Sequence, residues 1–297
     1  MVESLNISNN ATLSQLFDSL RYTFTWNPNN QQFDTVKNPS DIVFNFPSNS
    51  GGTNDNAQIV IQYSGVKNVS LISGYNGDYP GSFSITLNVN GSVIAEFSFT
   101  ASYSNSGIPS SVSGFILLSP YKLQASWTYT ATSVGLTFGF LNGTTSLVQF
   151  SGTNTGNFSK TTIDTATSVQ SILKSANATF QFGNLAWAGS INYSDIAANL
   201  PGIEAITNQD STVTQTARLF NNDISLILYY VNSNQKIATI MAYPMESFEF
   251  NNTPTWKLGF EFVFNNQAKG SFDSYYGAGF SSSLANIFHG ITFNASK

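Results

Sequence analysis

Few side chains in this sequence have the means to do chemistry, and most of them stand alone. His289 is the single histidine, so a two-histidine metal site and the H-E-x-x-H arrangement are both excluded. A Ser-His-Asp relay would have to run through His289, and no G-x-S-x-G nucleophile turn accompanies it; the residue reads as structural or surface. Glu246, Glu249 and Glu261 form the densest acidic group, and a glycosidase needs only two carboxyls at a set separation. The alternation of Phe248 and Phe250 into Trp256, Leu258, Phe260, Phe262 and Phe264, however, predicts a hairpin with a five-residue loop at 251–255. That hairpin sets Glu249 opposite Lys257 and leaves Glu249 and Glu261 on the solvent face, two rungs apart.

The remaining candidates are weaker. Asn54-Asp55-Asn56 offers oxygen ligands without the spacing or acidic partners of a calcium loop, and reads as a solvated turn. Gly277-Ala278-Gly279 is a lone G-x-G, which without a third glycine and a helix start is a turn. Trp26, Trp187 and Trp256 could stack on sugar rings, against the plainer expectation that they fill a core. With no cysteine there is neither a disulfide nor a thiolate metal site. Neither catalytic residues, nor a metal, nor a cofactor is expected. Ten N-x-S/T sequons occur, and Asn90, Asn142 and Asn251 fall at expected hairpin tips where a glycan could be attached.

The elements that would hold these residues are mostly strands. Charged residues make up 9% of the 297, against about 25% in typical soluble domains, while aromatics reach 14%. That balance is the reverse of a disordered chain. From Phe97 to Ser159 the only charge is Lys122, yet apolar and polar side chains alternate throughout. Phe83, Ile85, Leu87 and Val89 face Val93, Ala95, Phe97 and Phe99 if 90–92 is a three-residue loop, because burial of one face fixes the parity. A turn at Thr132-Ser133 sets Trp127 opposite Phe138. A three-residue loop at 142–144 sets Phe138 against Val148.

Helices are expected to be short. One follows an N-cap at Asn10, with Leu13, Leu16, Phe17 and Leu20 on one face; a second runs from Thr161 or Thr162 to Lys174. Helical turns are expected around 195–199 and 203–207, and a short helix over 282–288. Ile224 to Val231 reads as a central strand, far below the ~18 to 20 residues that span a bilayer. At an offset of 156 the first helix falls on Val169, Ile172, Leu173 and Ala176, a faint repeat. The fold class predicted is all-β: two tandem β-sandwich, jelly-roll-like domains, 1–156 and 157–297, joined near 154–160.

Composition also bounds partners. The net charge of -5 comes with no Lys/Arg cluster to neutralise a phosphate backbone, so nucleic acid is not an expected partner. Met1-Val-Glu-Ser-Leu-Asn lacks the basic and apolar regions of a signal peptide, which predicts synthesis and release in the cytosol. A monomeric β protein guards its edges with Lys and Glu; this one has few, so its surfaces are expected to be covered by copies of itself or bathed in acid, where ion pairs are lost anyway.

The Asn/Ser/Thr/Phe/Tyr-rich, Lys-poor, cysteine-free composition, two β-rich halves and short inter-strand helices together resemble structural proteins of viruses infecting thermoacidophilic archaea. In particular they are similar to the double jelly-roll capsid proteins of turreted icosahedral viruses. The likeness is one of composition and architecture. It implies two eight-stranded jelly rolls side by side, trimers forming pseudo-hexagonal capsomers, and no enzymatic activity. The partners expected are copies of the chain, in a trimer or larger array, and other shell proteins, with covalent glycans at the sequons. The expected function is a non-enzymatic, self-assembling shell subunit made in the host cytosol and located in the virion. The alternative is a glycan-binding or fibre/S-layer-type module at a cell surface, and an enzyme acting on polysaccharide comes third.

Overall fold

The computed structural model describes residues 13–66, 79–104, 109–248, 254–271 and Ser274. Strand accounts for 60% and helix for 18%, so the β class read from the alternation holds. By contacts the chain divides into two units, Met1–Tyr129 with Thr137–Ser146, and Thr130–Leu136 with Leu147–Lys297.

The first unit contains α1 (Leu13–Leu20), β1 (Tyr22–Asn27), β2 (Gln32–Lys37), β3 (Ile42–Phe46), β4 (Ala57–Val66), β5 (Tyr79–Val89), β6 (Ser92–Tyr103), β7 (Pro109–Leu118) and β8 (Tyr121–Tyr129). Strands β9 (Ser133–Asn142) and β10 (Thr145–Gly156) carry the division between units. The second unit continues with α2 (Lys160–Thr165), β11 (Leu173–Phe182), β12 (Leu185–Asn192), α3 (Tyr193–Glu204), α4 (Gln209–Asp223), β13 (Ile224–Tyr230), β14 (Gln235–Phe248), β15 (Pro254–Phe264) and β16 (Lys269–Ser271). Hydrogen bonding joins the sixteen strands in one sheet, in which β2, β1 and β3 stand at one end and β4 to β16 follow in chain order. Only β1 and β3 pair in parallel among the registers defined, because the chain turns back through β2 before laying β3 beside β1. Two tandem sandwiches are therefore not confirmed: a jelly roll needs chain crossings between sheets, and here the strands from β3 to β16 lie beside their sequence neighbours in one sheet.

In the first unit, parity set the β5–β6 register correctly from Phe83 to Leu87, while Val89 pairs with Ser92 and not Val93, and the turns differ. Phe83, Ile85 and Leu87 pair with Phe99, Phe97 and Ala95. A bulge beyond Leu87 then shifts the register, so the loop is a two-residue Asn90-Gly91 turn with φ of 51° and 78°. This is the doubly positive geometry that matches strand twist, and it favours Asn and Gly; the bulge absorbs the residue that parity assigned to the loop. Between β8 and β9 the turn is 131–132, since Thr130 N donates to Ser133 O at 2.8 Å. Ser126 and Thr137 hydroxyls lie 2.6 Å apart, so Ala125 and not Trp127 stands opposite Phe138. A shift of two residues keeps every apolar side chain on its face. The next loop is also a two-residue turn, Gly143-Thr144. β2 escaped the alternation because all six of its residues are exposed. α1 forms where its apolar spacing predicts it, and Phe17 stacks on Tyr63 at 4.6 Å.

The second unit departs further. Ser159 accepts from Thr162 N to cap α2, which ends at Thr165; a 3-10 turn over Val169–Ser171 and then β11 occupy the rest of the expected helix. The faint repeat thus sets helix against strand and does not carry structure. Asn154 to Gly156, expected in a linker, closes β10. The helical turns expected around 195–199 and 203–207 fall on α3 and on the link that follows it, and α4 forms where no helix was expected; Asn192 and Asn208 side chains cap the two helices, accepting from Asp195 N and Ser211 N. They lie on the apolar face of the sheet: Ile196 and Leu200 of α3 and Ala217 and Phe220 of α4 share a core with β14 and β15. There Ala238, Ile240 and Ala242 oppose Phe264, Phe262 and Phe260, small against large. β13 is central, as expected. Lys257 pairs with Met245 rather than Glu249, because the register sets Phe248 opposite Pro254. The helix expected over 282–288 lies outside the described residues.

One polar side chain ties α4 to the sheet. β13 pairs with β14 only as far as Thr239, leaving the β14 backbone beyond it without a strand on that side. Asn221 substitutes: its Nδ2 donates to Ala242 O at 2.8 Å, and its Oδ1 accepts from Ala242 N at 2.7 Å. Asn221→Ala is expected to leave two part-buried backbone groups unpaired and lower stability by about 2 kcal/mol in urea unfolding. A loss within error of zero would show that water replaces the amide.

Candidate functional site

The main surface feature of the first unit follows from its alternation. Ile85, Phe97, Ile116 and Leu123 are successive register partners across β5, β6, β7 and β8. They retain 37%, 39%, 47% and 40% of their surface, values that belong to a sheet face and not to a core. Leu118 and Tyr121, paired in the next row, are exposed further. No charged side chain shares these rows. Buried apolar residues of this unit are few among those described: Ile42, Val43, Ala57 and Ala101.

The opposite face is polar with little charge, Glu96 and Lys122 sharing one row. Ser82, Thr100, Ser113 and Ser126 form one row, with Thr100 and Ser113 oxygens 2.6 Å apart. Lys122, the one charge of the long stretch, lies 4.0 Å over the Phe115 ring, a cation-π contact that shields part of its field. Asn45, Gln58, Gln62 and Ser84 continue the face with side-chain bonds of their own. Hydroxyl and amide ladders of this kind do not titrate.

In the second unit an apolar groove of about 290 Å³ runs beside α3. Ala176, Ala178 and Gly189 make it deep, and Phe150, Phe180 and Trp187 wall it. A Cβ on Gly189 would stand 3.1 Å from Leu226 Cδ1, so a larger residue would narrow it. Tyr193 opens α3 at its border, and burial pushes its hydroxyl pKa up.

At the other side of the same helix pair, Asn192 Nδ2 donates to Asp223 Oδ1 at 3.2 Å while its Oδ1 caps α3. Asp223 Oδ2 is sealed from solvent without a donor. Asp223 ends α4, where the helix dipole is negative. Burial first, then its hydrogen bond to and repulsion from Asp195, push the Asp223 pKa up, while Asn192 opposes them.

The residues singled out in the sequence do not converge. Glu246 pairs with Trp256 and Glu261 with Met241. Positions 241 and 246 of one strand face opposite sides, so the two glutamates lie on opposite faces, about 17 Å apart along it; they cannot flank one glycosidic bond. Glu261 instead holds Lys269 at 2.6 Å. Trp26 packs edge-on against Phe33 at 5.3 Å, and Trp187 lies 5.8 Å from Phe262. Asn56 is a structural clip, accepting from Ser48 N and donating to Asn90 Oδ1, each at 2.8 Å. Asn90 and Asn142 are exposed at their turns. His289, Glu249, Asn251 and Gly277-Ala278-Gly279 lie outside the described residues. Among the described residues no three His, Asp or Glu gather as metal ligands, and no helix is long and apolar enough to cross a membrane.

No family model matches the chain, and no curated protein or solved structure matches it. The site has to be read from its own geometry. The sequence reading missed the Asp195–Asp223 pair because it needs α3 and α4 side by side, and the Thr, Asn and Gln content of α4 hides its helical spacing; it missed the groove because local pattern does not say which part of a sheet face stays uncovered.

A raised carboxyl pKa has a definite sign. Asp223 stabilises the fold most below its unfolded pKa of about 3.9, and that contribution is lost as pH rises through the higher folded value. Asp223→Asn is therefore expected to gain about 0.5 kcal/mol over the parent at pH 7, a magnitude reduced by solvent, and nothing at pH 3. Thermal melts at both pH values check this; an equal difference at both would refute the raised Asp223 pKa.

Proposed function

We propose that the chain is a non-enzymatic structural subunit that self-assembles into a protein shell, as a viral capsid subunit does, in a hot or acidic setting. The observation that carries this reading is the exposed row Ile85, Phe97, Ile116 and Leu123. Its partner is taken to be a second copy of the chain. A face without charge has nothing for a charged partner to complement, yet nothing to repel its own likeness. Five strands, β4 to β8, of nine to twelve residues at spacings of about 4.8 and 3.3 Å present about 800 Å². A standard interface buries roughly that per partner.

On this reading the sandwich expected from the alternation is completed between subunits, with sheets about 10 Å apart, and one sheet per chain suffices. The acid setting is supported by the scarcity of titrating contacts: three ion pairs among the described residues, with Asp18–Arg21 and Lys160–Asp164 largely exposed. The glycan-binding alternative has less support, because the groove holding Trp187 is apolar and a sugar ring needs several hydrogen-bonding groups. Assembly in a virion after synthesis in a host cytosol is the setting we favour over a cell surface.

Light scattering on the folded chain at pH 3 and pH 7 tests the proposal. Trimers or larger arrays are expected, and Ile116→Asn is expected to weaken association tenfold or more, about 1.4 kcal/mol or above, while Ser113→Asn on the polar face of the same strand changes it little. A parent chain that stays monomeric at micromolar concentration at both pH values would overturn it.

A further inference from the structure

Five of the ten sequons fall on described residues, and the fold treats them differently. Asn177 sits mid-strand in β11, paired on one side with Thr153 and on the other with Ser190, so its backbone is locked in the sheet. Asn192 uses both side-chain atoms, one to cap α3 and one to hold Asp223. The sequon of Asn157 depends on Ser159, whose hydroxyl accepts from Thr162 N as the cap of α2 and lies 2.8 Å from Thr162 Oγ1.

All five asparagines are exposed, and Asn90 and Asn142 differ in where the chain holds them. Both are exposed at two-residue turns, as are Ser92 and Thr144, the hydroxyl residues that complete their sequons. Asn90 Oδ1 accepts from Asn56, a bond that leaves the nitrogen unused. The two tips also stand at the same end of the first unit. Asn90 N donates to Asn56 O, Ser119 N to Ile94 O and Gly143 N to Pro120 O, at 2.8, 2.9 and 2.8 Å, so adjacent turns are joined side to side.

We infer that Asn90 and Asn142 are N-glycan acceptor sites of the folded chain, and that the fold closes Asn157, Asn177 and Asn192. The donor is an oligosaccharide carried on a lipid diphosphate. A bond forms between the Asn Nδ2 and the anomeric carbon, the bond from that carbon to the diphosphate oxygen breaks, the nitrogen loses one proton, and the lipid diphosphate leaves; no electrons are transferred. A glycan is bulky and belongs on the surface. Attached at strand ends, it extends beyond the sheet and leaves both faces open. The inference stands whether or not the faces assemble.

The test is transfer by a single-subunit oligosaccharyltransferase with its lipid-linked donor, applied to the folded chain and to the urea-denatured, diluted chain, with glycopeptides read by mass spectrometry. Among the five sequons the folded chain is expected to carry glycan at Asn90 and Asn142, with occupancy at least tenfold lower at the other three, a contrast that shrinks in the denatured chain. Ser92→Ala and Thr144→Ala each remove one glycan while keeping the turn asparagine. Glycan at Asn177 or Asn192 of the folded chain, or bare Asn90 and Asn142 there, would overturn the assignment.

Discussion

A sheet with one apolar face has to cover it, and this chain meets that demand unevenly. Over β13 to β15 the cover is α3 and α4, whose Ile196, Leu200 and Phe220 fill the spaces between Ile240, Phe260 and Phe262. Over β5 to β8 the same kind of face stays a third or more exposed at its central row. The proposed assembly follows from that contrast. Where helices close the face, the second unit has a core of its own; where they do not, burial of apolar surface, the main favourable term in folding and association, remains to be gained from outside.

Electrostatics point the same way. A face made of hydroxyls and amides satisfies its polar groups by pairing with neighbours, as Thr100 does with Ser113 and Gln58 with Asn45. Those bonds are indifferent to pH. Charge is kept where it costs little: Lys269 stays mostly exposed opposite Glu261, and Lys122 leans on a ring. The exception is Asp223, and its discomfort grows with pH rather than with acid.

Much of this was legible in the residues, and what was not has physical causes. Period-two alternation identified which side chains share a face, so Phe83 opposite Phe99 and Ile85 opposite Phe97 could be read directly. It could not place the bulge at Ile94, because inserting one residue costs no apolar contact when it falls beside a turn. It identified α1, whose four apolar residues keep helical spacing, and missed α4 altogether, where Ala217, Leu219 and Phe220 are all that a 15-residue helix buries. Local pattern also says nothing about what lies over a face; hence the sheet was foreseen and its covering was not. Of the candidate chemistry, the parity of β14 was enough to separate Glu246 from Glu261 once the register was known, and Asn221 gave no signal beyond being an asparagine near a helix end.

The bonds that join the turns of the first unit side to side have a mechanical meaning. In most hairpins the tip is the loosest point, free to fray without disturbing its neighbours. Here Asn56 to Asn90, Ile94 to Ser119 and Pro120 to Gly143 act as a stitched hem along one border of the sheet. A pull on one strand is therefore shared by three hairpins before any ladder slips, which gives a thin sheet resistance to shear along its border that its sparse core could not supply.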